Sequence, residues 1–244
     1  MNLSREGWLE ALGLTEEEVP PLVILEGTWW HRTRYPLRLA ALTDVRELKF
    51  PDLYWGRYRG IPVLFCVAYG AARAVEPVHA LGSVGSRAVI QIGSCGGIQP
   101  GLISGDIMLP ESAVIGEGAS QYYGGAGVAH ATPELVEAAE RALRARDLTV
   151  HRGLHLTTSA LFAQPPERVE GWREAGYLTV DMETSAVFTA AKYFGMKTAS
   201  LVFVWDELSR GRSFLDSYSA EEEARQARAN EAIFEVALEL LELL

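Results

Sequence analysis

The chain has 244 residues, of which 48% are hydrophobic, and a formal net charge of −10 at pH 7; this suits one α/β domain spanning residues 1–244. The acidic balance argues against a nucleic-acid partner, because phosphate backbones are bound by clustered Lys and Arg. No apolar run approaches the roughly 20 residues of a membrane span, and the amino terminus is acidic, so we expect a cytoplasmic protein with no membrane partner.

Short β-branched runs alternate with longer helical patterns along the chain. Several of these runs are apolar on both faces, as in a sheet that helices cover on each side. The predicted strands are 22–26, 61–67, 88–93, 106–115, 148–156 and 198–205.

Two helices have clear start signals. Thr132 and Pro133 are typical of an N-cap and a first helical position. Ser219 and Glu222 form a capping box. An apolar stripe follows it at Ala224, Ala227, Phe234, Leu238 and Leu241. Together with the strands, these helices predict a three-layer α/β/α sandwich.

The segment "VIQIGSCGG" runs from an apolar strand into glycines. Gly93, Gly96 and Gly97 predict a turn whose backbone N–H groups either contact an anion or only change the chain direction. The segment lacks the Lys-Ser/Thr of a P-loop. Its local pattern leaves both interpretations open.

Acidic residues mark two further strand ends. In "TVDMETSAVFTAAKYFG", Asp181 and Glu183 stand where a strand meets a helix, so they either bind a ligand or complement the helix dipole. Asp206 follows the last predicted strand, at the end where α/β folds place ligands.

The cysteines and histidines predict no metal site and no disulfide. Cys66 and Cys95 are far apart without a CxxC pair, so we expect buried thiols. His151 and His155 would share one face of a strand, but no third ligand accompanies them.

Four collinear segments resemble the nucleoside phosphorylase-I family, the purine nucleoside and uridine phosphorylases. They are "LGLTEEEVPPLVILEG", "QIGSCGGIQPGLISGD", "EGASQYY" and "VDMETSAVFTAAKYFG". The resemblance covers Trp8 to Asp206. It implies the sandwich fold already inferred, with a mixed and distorted central sheet of the phosphorylase/hydrolase type.

The resemblance also implies site roles around a nucleoside. Glu183 would bind the ribose hydroxyls and Met182 would pack on the sugar. Asp206 would donate a proton to a purine base. Uridine-specific members have an arginine at this position, so Asp206 favours purines. The base would further contact Phe162, Arg168 and Trp205, and phosphate would lie near Gly27, Arg46, Ser94, Gln91 and His31. Inorganic phosphate is the co-substrate in this family, and no metal or organic cofactor is expected.

The sequence departs from the family on the phosphate side. Gln91 and His31 stand where the family has arginines, and Ala11 stands where a neighbouring subunit lends a histidine. Arg46 is the match for an arginine lent by a neighbour, with Lys49 as an alternative. Arg32, Arg34 and Arg73 are candidates to compensate. Each lost charged hydrogen bond to phosphate removes about 1.5–3 kcal/mol.

Three functions therefore remain open. The first is phosphorolysis of a purine nucleoside to free base and ribose 1-phosphate. Within phosphorolysis, uridine is the alternative to a purine nucleoside as substrate. The second function is hydrolysis of the same bond. The third is a non-catalytic protein that binds nucleosides. In each case the resemblance implies a dimer-based homo-oligomer, as a hexamer. Trp29 and Trp30 would wall the pocket or join a subunit contact.

Overall fold

The first strand of the sheet is apolar on both faces, and this explains the layering. In the computed structural model, which describes residues 3–244, β1 (Leu22–Gly27) is buried throughout. Leu22 and Ile24 pack into one apolar cluster, whereas Val23 and Leu25 pack into another. Because successive side chains of a strand point to opposite faces, this run requires cover on both sides.

The other strands join β1 in one mixed sheet. They are β2 (Thr43–Glu47), β3 (Leu53–Tyr58), β4 (Ile61–Val67), β5 (Ala88–Gly97), β6 (Ile107–Gly116), β7 (Val128–His130), β8 (Val150–Thr158), β9 (Thr179–Asp181) and β10 (Lys197–Glu207). One half of the sheet is open and runs β5-β1-β4-β3-β2. The other half closes on itself, since β5 also pairs with β9 and β10, and β6 and β8 complete the ring.

Helices cover both faces of the sheet. They are α1 (Arg5–Leu12), α2 (His31–Leu39), α3 (Ala71–Val84), α4 (Pro133–Arg144), α5 (Pro166–Glu174), α6 (Thr184–Tyr193) and α7 (Ala220–Glu239). Apolar residues of α1, α3 and α6 pack with Val23 and Leu25, and those of α2, α4 and α7 pack with Leu22 and Ile24. The predicted three-layer sandwich with a mixed, distorted sheet is confirmed.

Several sequence predictions match the structure closely. All six predicted strands exist, and β4 has the predicted bounds. Thr132 and Pro133 begin α4, and Ser219 and Glu222 form the capping box of α7. Within residues 3–244, no helix combines the length and the apolar character needed to cross a membrane.

Two predictions about local structure are wrong. The glycine segment is no turn, because β5 continues through it to Gly97 and pairs with β9 and β10. The predicted stripe of α7 is buried only in its second half. Ala224 and Ala227 are exposed, and the buried face there holds Gln226, Ala229 and Asn230 instead.

The structure shows where the two cysteines and the two candidate histidines lie. Cys66 and Cys95 are both buried free thiols. His151 lies 3.1 Å from Asp106, and His155 is fully buried beside Asp181. Across the described residues, no group of three His, Cys, Asp or Glu side chains is arranged to hold a metal ion.

Candidate active site

A cleft of about 690 Å³ opens at the carboxyl ends of the central strands. Gly27 ends β1, Ser94 lies on β5, Asp181 ends β9 and Asp206 lies near the end of β10. Ligands of α/β folds bind outside this end of the sheet, because the loops that follow the strands leave a crevice there. Most of the residues predicted from the strand ends therefore meet in one place.

Asp206 reaches the cleft through an irregularity in β10. Val204 pairs with Cys95 and Asp206 pairs with Gly96, so Trp205 is an extra residue that bulges from the ladder. A bulge bends a strand and redirects its side chains. Both Trp205 and Asp206 consequently line the cleft.

The carboxyl group of Asp206 lies in surroundings that favour its protonated form. Its Oδ1 is buried and has no hydrogen-bond partner among the described residues. Burial raises the pKa of Asp206 to about 7, with a smaller rise from the charge of Asp216 and an opposing effect of the backbone N–H of Phe214. Asp206 can therefore hold a proton near neutral pH and face the cleft with it.

Glu183 is the second acid of the cleft, and it is positioned by two glycines. The residue is 3% exposed and precedes the first residue of α6. Its Oε1 accepts a hydrogen bond of 2.6 Å from the backbone N–H of Gly70. Its Oε2 lies against Gly27, where an added Cβ would stand 2.6 Å away. The end of β1 must therefore lack a side chain for Glu183 to hold this position.

We expect Gly27→Ala to disrupt the site while leaving the fold intact. The new methyl group would meet the Glu183 carboxyl, which is the far end of a flexible side chain and can move. A displacement of about 1 Å can lower activity about a hundredfold. Steady-state kinetics should show that loss, and thermal unfolding should show a melting temperature close to that of the unmodified protein.

Gly93→Ala is the matched control for this substitution. Gly93 pairs with Gly27 in the ladder between β5 and β1, and its added Cβ would stand 2.9 Å from the Gly27 backbone oxygen. The backbone of a paired strand cannot move aside as the end of a side chain can. Gly93→Ala should therefore lower the free energy of unfolding instead. Equal stability losses in the two variants would contradict the role given to Gly27.

Asp181 lies beside Glu183 but is turned into a buried polar network. Its carboxylate accepts hydrogen bonds from the Thr157 hydroxyl at 3.0 Å and the Thr184 hydroxyl at 2.6 Å. His155 Nε2 approaches its Oδ1 to 2.9 Å, without the alignment of a hydrogen bond. Burial favours the protonated acid, but His155 and the Thr184 bonds outweigh burial and lower the pKa of Asp181.

Gln91 belongs to this network and not to the cleft wall. It is fully buried, and its amide donates to Asp181 at 3.3 Å. Its oxygen accepts from Ser200, and it lies 2.8 Å from the Thr184 hydroxyl. The structure thus corrects the expected phosphate contact of Gln91, because strand alternation points this side chain behind the cleft.

Aromatic side chains from separate loops wall the opening of the cleft. The Trp29 ring lies 5.0 Å from Tyr69, 5.6 Å from Phe162 and 6.1 Å from Phe214, measured between ring centroids. Trp30 also lines the cleft. The sequence left two alternatives for Trp29 and Trp30, the pocket wall or a subunit contact. The structure places both residues in the pocket wall.

The charges of the cleft lining are all acidic. Its ionisable carboxylates are Asp181, Glu183 and Asp206, and none of the described residues that line it is Lys, Arg or His. Arg34 and Arg38 both approach the buried Glu26, and Arg73 pairs with Glu76. The arginines considered as compensating cations are thus turned elsewhere, and Arg32 is exposed outside the lining.

Other predicted site residues lie at or beyond the rim. His31 begins α2, is exposed, and contacts the Trp29 backbone oxygen. Phe162 is 73% exposed and reaches the cleft only through Trp29 and Phe214. Arg168 lies exposed on α5 and bonds to the Ala163 backbone oxygen, so the structure does not bring it to the cleft. Met182 and Ser94 do line it.

Arg46 lies far from the cleft of its own chain. It is on β2, at the outer edge of the open half of the sheet. Its guanidinium bonds to Glu18 at 2.8 Å and lies over the Trp55 ring. Any contact of Arg46 with a ligand would have to be made in a second copy of the chain.

Sequence reasoning missed several contributors to the cleft, among them Tyr69, Phe214 and Gln164. Tyr69 donates a hydrogen bond to the Met182 sulfur at 3.0 Å, and burial raises the pKa of its hydroxyl to about 12. Phe214 and Gln164 come from loops without a regular pattern. The only available signal was the position of Tyr69 just after a predicted strand.

Comparisons with known proteins identify one superfamily and one fold. The family model of the phosphorylase superfamily matches residues 37–242. A guanosine phosphorylase of Halorubrum lacusprofundi is 28% identical over 184 residues, covering 71% of this chain and 75% of the relative. A DeoD-type purine nucleoside phosphorylase of Geobacillus kaustophilus is 32% identical over 163 residues, or 64% of each chain. A solved uridine phosphorylase of Vibrio fischeri has the same fold, with a TM-score of 0.82 over 95% of both chains at 23% identity.

Proposed function

Because the chain belongs to the phosphorylase superfamily, we propose that it cleaves the N-glycosidic bond of a purine nucleoside, with Asp206 as the acid. The observation that carries this proposal is the buried Oδ1 of Asp206 at the cleft, which has no hydrogen-bond partner within residues 3–244. When the bond from C1′ to N9 breaks, its electron pair goes to the base, and a proton delivered to N7 neutralises the leaving group. A pyrimidine has no N7 to receive that proton.

The sugar would lie between Met182, Glu183 and the aromatic wall. Glu183 faces the cleft from the start of α6, and Met182 is held by the Tyr69 hydroxyl. Hydrogen bonds to the ribose hydroxyls would fix the orientation of C1′ toward the acceptor. Trp205 and Phe214 border the carboxyl of Asp206, so they are our candidates to contact the base.

Phosphate is our first candidate for the acceptor, because the relatives are named phosphorylases. Within one chain, Ser94 and the open backbone beside Gly27 could contact it. A cation would then come from Arg46 of a second copy, and we propose a dimer-based homo-oligomer, as a hexamer, for this reason. Light scattering that shows a monomer at working concentration would remove the role of Arg46.

Water is the second candidate acceptor, and the charge of the cleft favours it. The lining described for this chain carries no cation, and of its three carboxyl groups Asp181 is the one whose pKa is lowered, so it carries a negative charge. A phosphate dianion placed beside carboxylates in a site of low dielectric is strongly disfavoured unless cations balance it. Water carries no charge and needs no such partner.

One assay separates the acceptors and tests the proposal as a whole. The protein, dialysed free of phosphate, is incubated with inosine, adenosine, guanosine and uridine, with and without added phosphate, and free base is measured. We expect base from the purine nucleosides and none from uridine. Release that requires phosphate selects phosphorolysis, and release without it selects hydrolysis. No base from any purine nucleoside in either condition would overturn the proposed function.

A further inference from the structure

Asp181 and Glu183 stand two residues apart, but nearly all hydrogen-bond donors of the region are directed to Asp181. The backbone N–H groups of Glu183 and Thr184 point to its carboxylate, at 3.3 and 3.1 Å. The hydroxyls of Thr157 and Thr184 and the amide of Gln91 complete its surroundings. This many hydrogen-bond donors stabilise the ionised form of the Asp181 carboxyl, so Asp181 carries the negative charge of the pair.

Glu183 lacks such support. Its carboxyl accepts one hydrogen bond of good geometry, from the backbone N–H of Gly70 at the start of α3, with a smaller effect of the Met182 backbone N–H, and its Oε2 faces the cleft beside Gly27. The ionisable groups that line the cleft around it, Asp181, Asp206, Tyr69 and Cys95, are all acids. Behind Asp181 lies His155, whose ring is turned to Asp181 and Thr179. Two neighbouring buried carboxyls do not both ionise when one of them has far fewer hydrogen-bond donors than the other.

We propose that Glu183 works in its protonated form, donating a hydrogen bond from Oε2 to a ribose hydroxyl, and that Asp181 is the positioning residue that keeps it protonated. This inference rests on the proposed function only in placing the ribose at Glu183. Oε1 is occupied as an acceptor by Gly70, so the proton belongs on Oε2. Burial and the charge of Asp181 raise the pKa of Glu183 to about 8, which agrees with this geometry.

The arrangement makes substrate binding sensitive to alkaline pH. Below the pKa the carboxyl donates to the sugar oxygen, and above it the carboxylate has no proton to donate. A nucleoside should therefore bind with constant affinity near neutral pH. Its affinity should fall about tenfold per pH unit well above the pKa, because binding then requires the uptake of one proton.

The decisive comparison is Glu183→Gln against Glu183→Ala. Glutamine is neutral, has nearly the same shape, and retains both an acceptor for Gly70 and N–H donors for the sugar. Inosine binding is measured by tryptophan fluorescence, since Trp29, Trp30 and Trp205 line the cleft. All variants carry Asp206→Asn, which slows turnover and removes the titration of Asp206.

We expect the Gln variant to bind inosine within a few-fold of the parent at pH 7 and to keep that affinity up to pH 9. The Ala variant should bind about tenfold more weakly or worse. A Gln variant as weak as the Ala variant would show that the carboxylate is the required form and would overturn the proposal. Absence of base release in the Asp206-intact protein, with this binding pattern retained, would instead count against the proposed function alone.

Asp181→Asn tests the positioning role. Removing the neighbouring charge should let Glu183 ionise more easily, moving the alkaline loss of inosine binding to lower pH by about one unit. A merely structural role would lower affinity without moving this midpoint, so an unmoved midpoint overturns the positioning role. Infrared difference spectra of the parent and the Gln variant must also show a protonated carboxyl at pH 7, and its absence contradicts the proposal.

Discussion

Asp206→Asn should lower kcat for purine nucleosides by about 10²–10⁴-fold while leaving nucleoside binding nearly unchanged. Asparagine keeps the shape of the side chain but has no acidic proton for the leaving base. The buried Oδ1 has no other partner among the described residues, so little of the surrounding structure depends on its charge. Steady-state kinetics and fluorescence titration with inosine measure the two effects separately.

The pH dependence supplies a second readout for the same residue. The acid form of Asp206 is the active one, so kcat should be constant at low pH and fall as the pH rises through about 7. The limb near pH 7 should be absent from the Asn variant. Asp44→Asn is the matched control, because Asp44 is exposed and pairs with Arg57 on the edge strand of the sheet, away from the cleft. An unchanged kcat in Asp206→Asn would exclude Asp206 as the proton donor.

Glu26→Ala should cost about 3–5 kcal/mol of folding free energy, the largest stability effect we expect. Glu26 is 1% exposed and receives two hydrogen bonds from Arg38, at 2.9 and 3.2 Å. Arg34 approaches it to 3.3 Å. Its loss would leave two buried or half-buried guanidiniums without a carboxylate, and only Asn230 would still bond to Arg38. Since a domain is stable by about 5–15 kcal/mol, this is a large fraction.

Chemical and thermal denaturation measure this loss directly. In a chain of this size, the expected change in melting temperature is a decrease of roughly 6–20 °C. Glu242→Ala is the matched control, because Glu242 pairs with Arg59 at a site where both side chains are more than 60% exposed. Exposed pairs contribute about 0–1 kcal/mol. Similar losses in the two variants would show that the Glu26 cluster adds no more than a surface ion pair.

The Glu26 cluster also explains why the cleft is acidic. Its two arginines lie on α2, directly after the strand end that borders the site. The sequence suggested that one of them, Arg34, could replace a missing phosphate ligand. They cannot serve both purposes, because a guanidinium that neutralises a buried carboxylate is held away from the cleft by that bond.

The sequence by itself determined the elements whose signals are local. The apolar runs predicted six of the ten strands of the described residues, and the capping residues predicted the starts of α4 and α7. The position of Asp206 at the end of a strand, and of Glu183 where a strand meets a helix, made each of them a candidate to contact a ligand, because α/β folds bind ligands at such strand ends. These features depend on a residue and its near neighbours, so one sequence contains them in full.

Only the tertiary structure decided which way the polar side chains point and which acids keep a proton. The bulge at Trp205 exists because β10 pairs with β5, more than 100 residues away. Gln91 faces a network with Asp181, Thr184 and Ser200, and Asp181 receives donors that Glu183 lacks. These outcomes depend on the partners that folding brings together, since burial and nearby charge set a pKa, and neither quantity can be read along the chain.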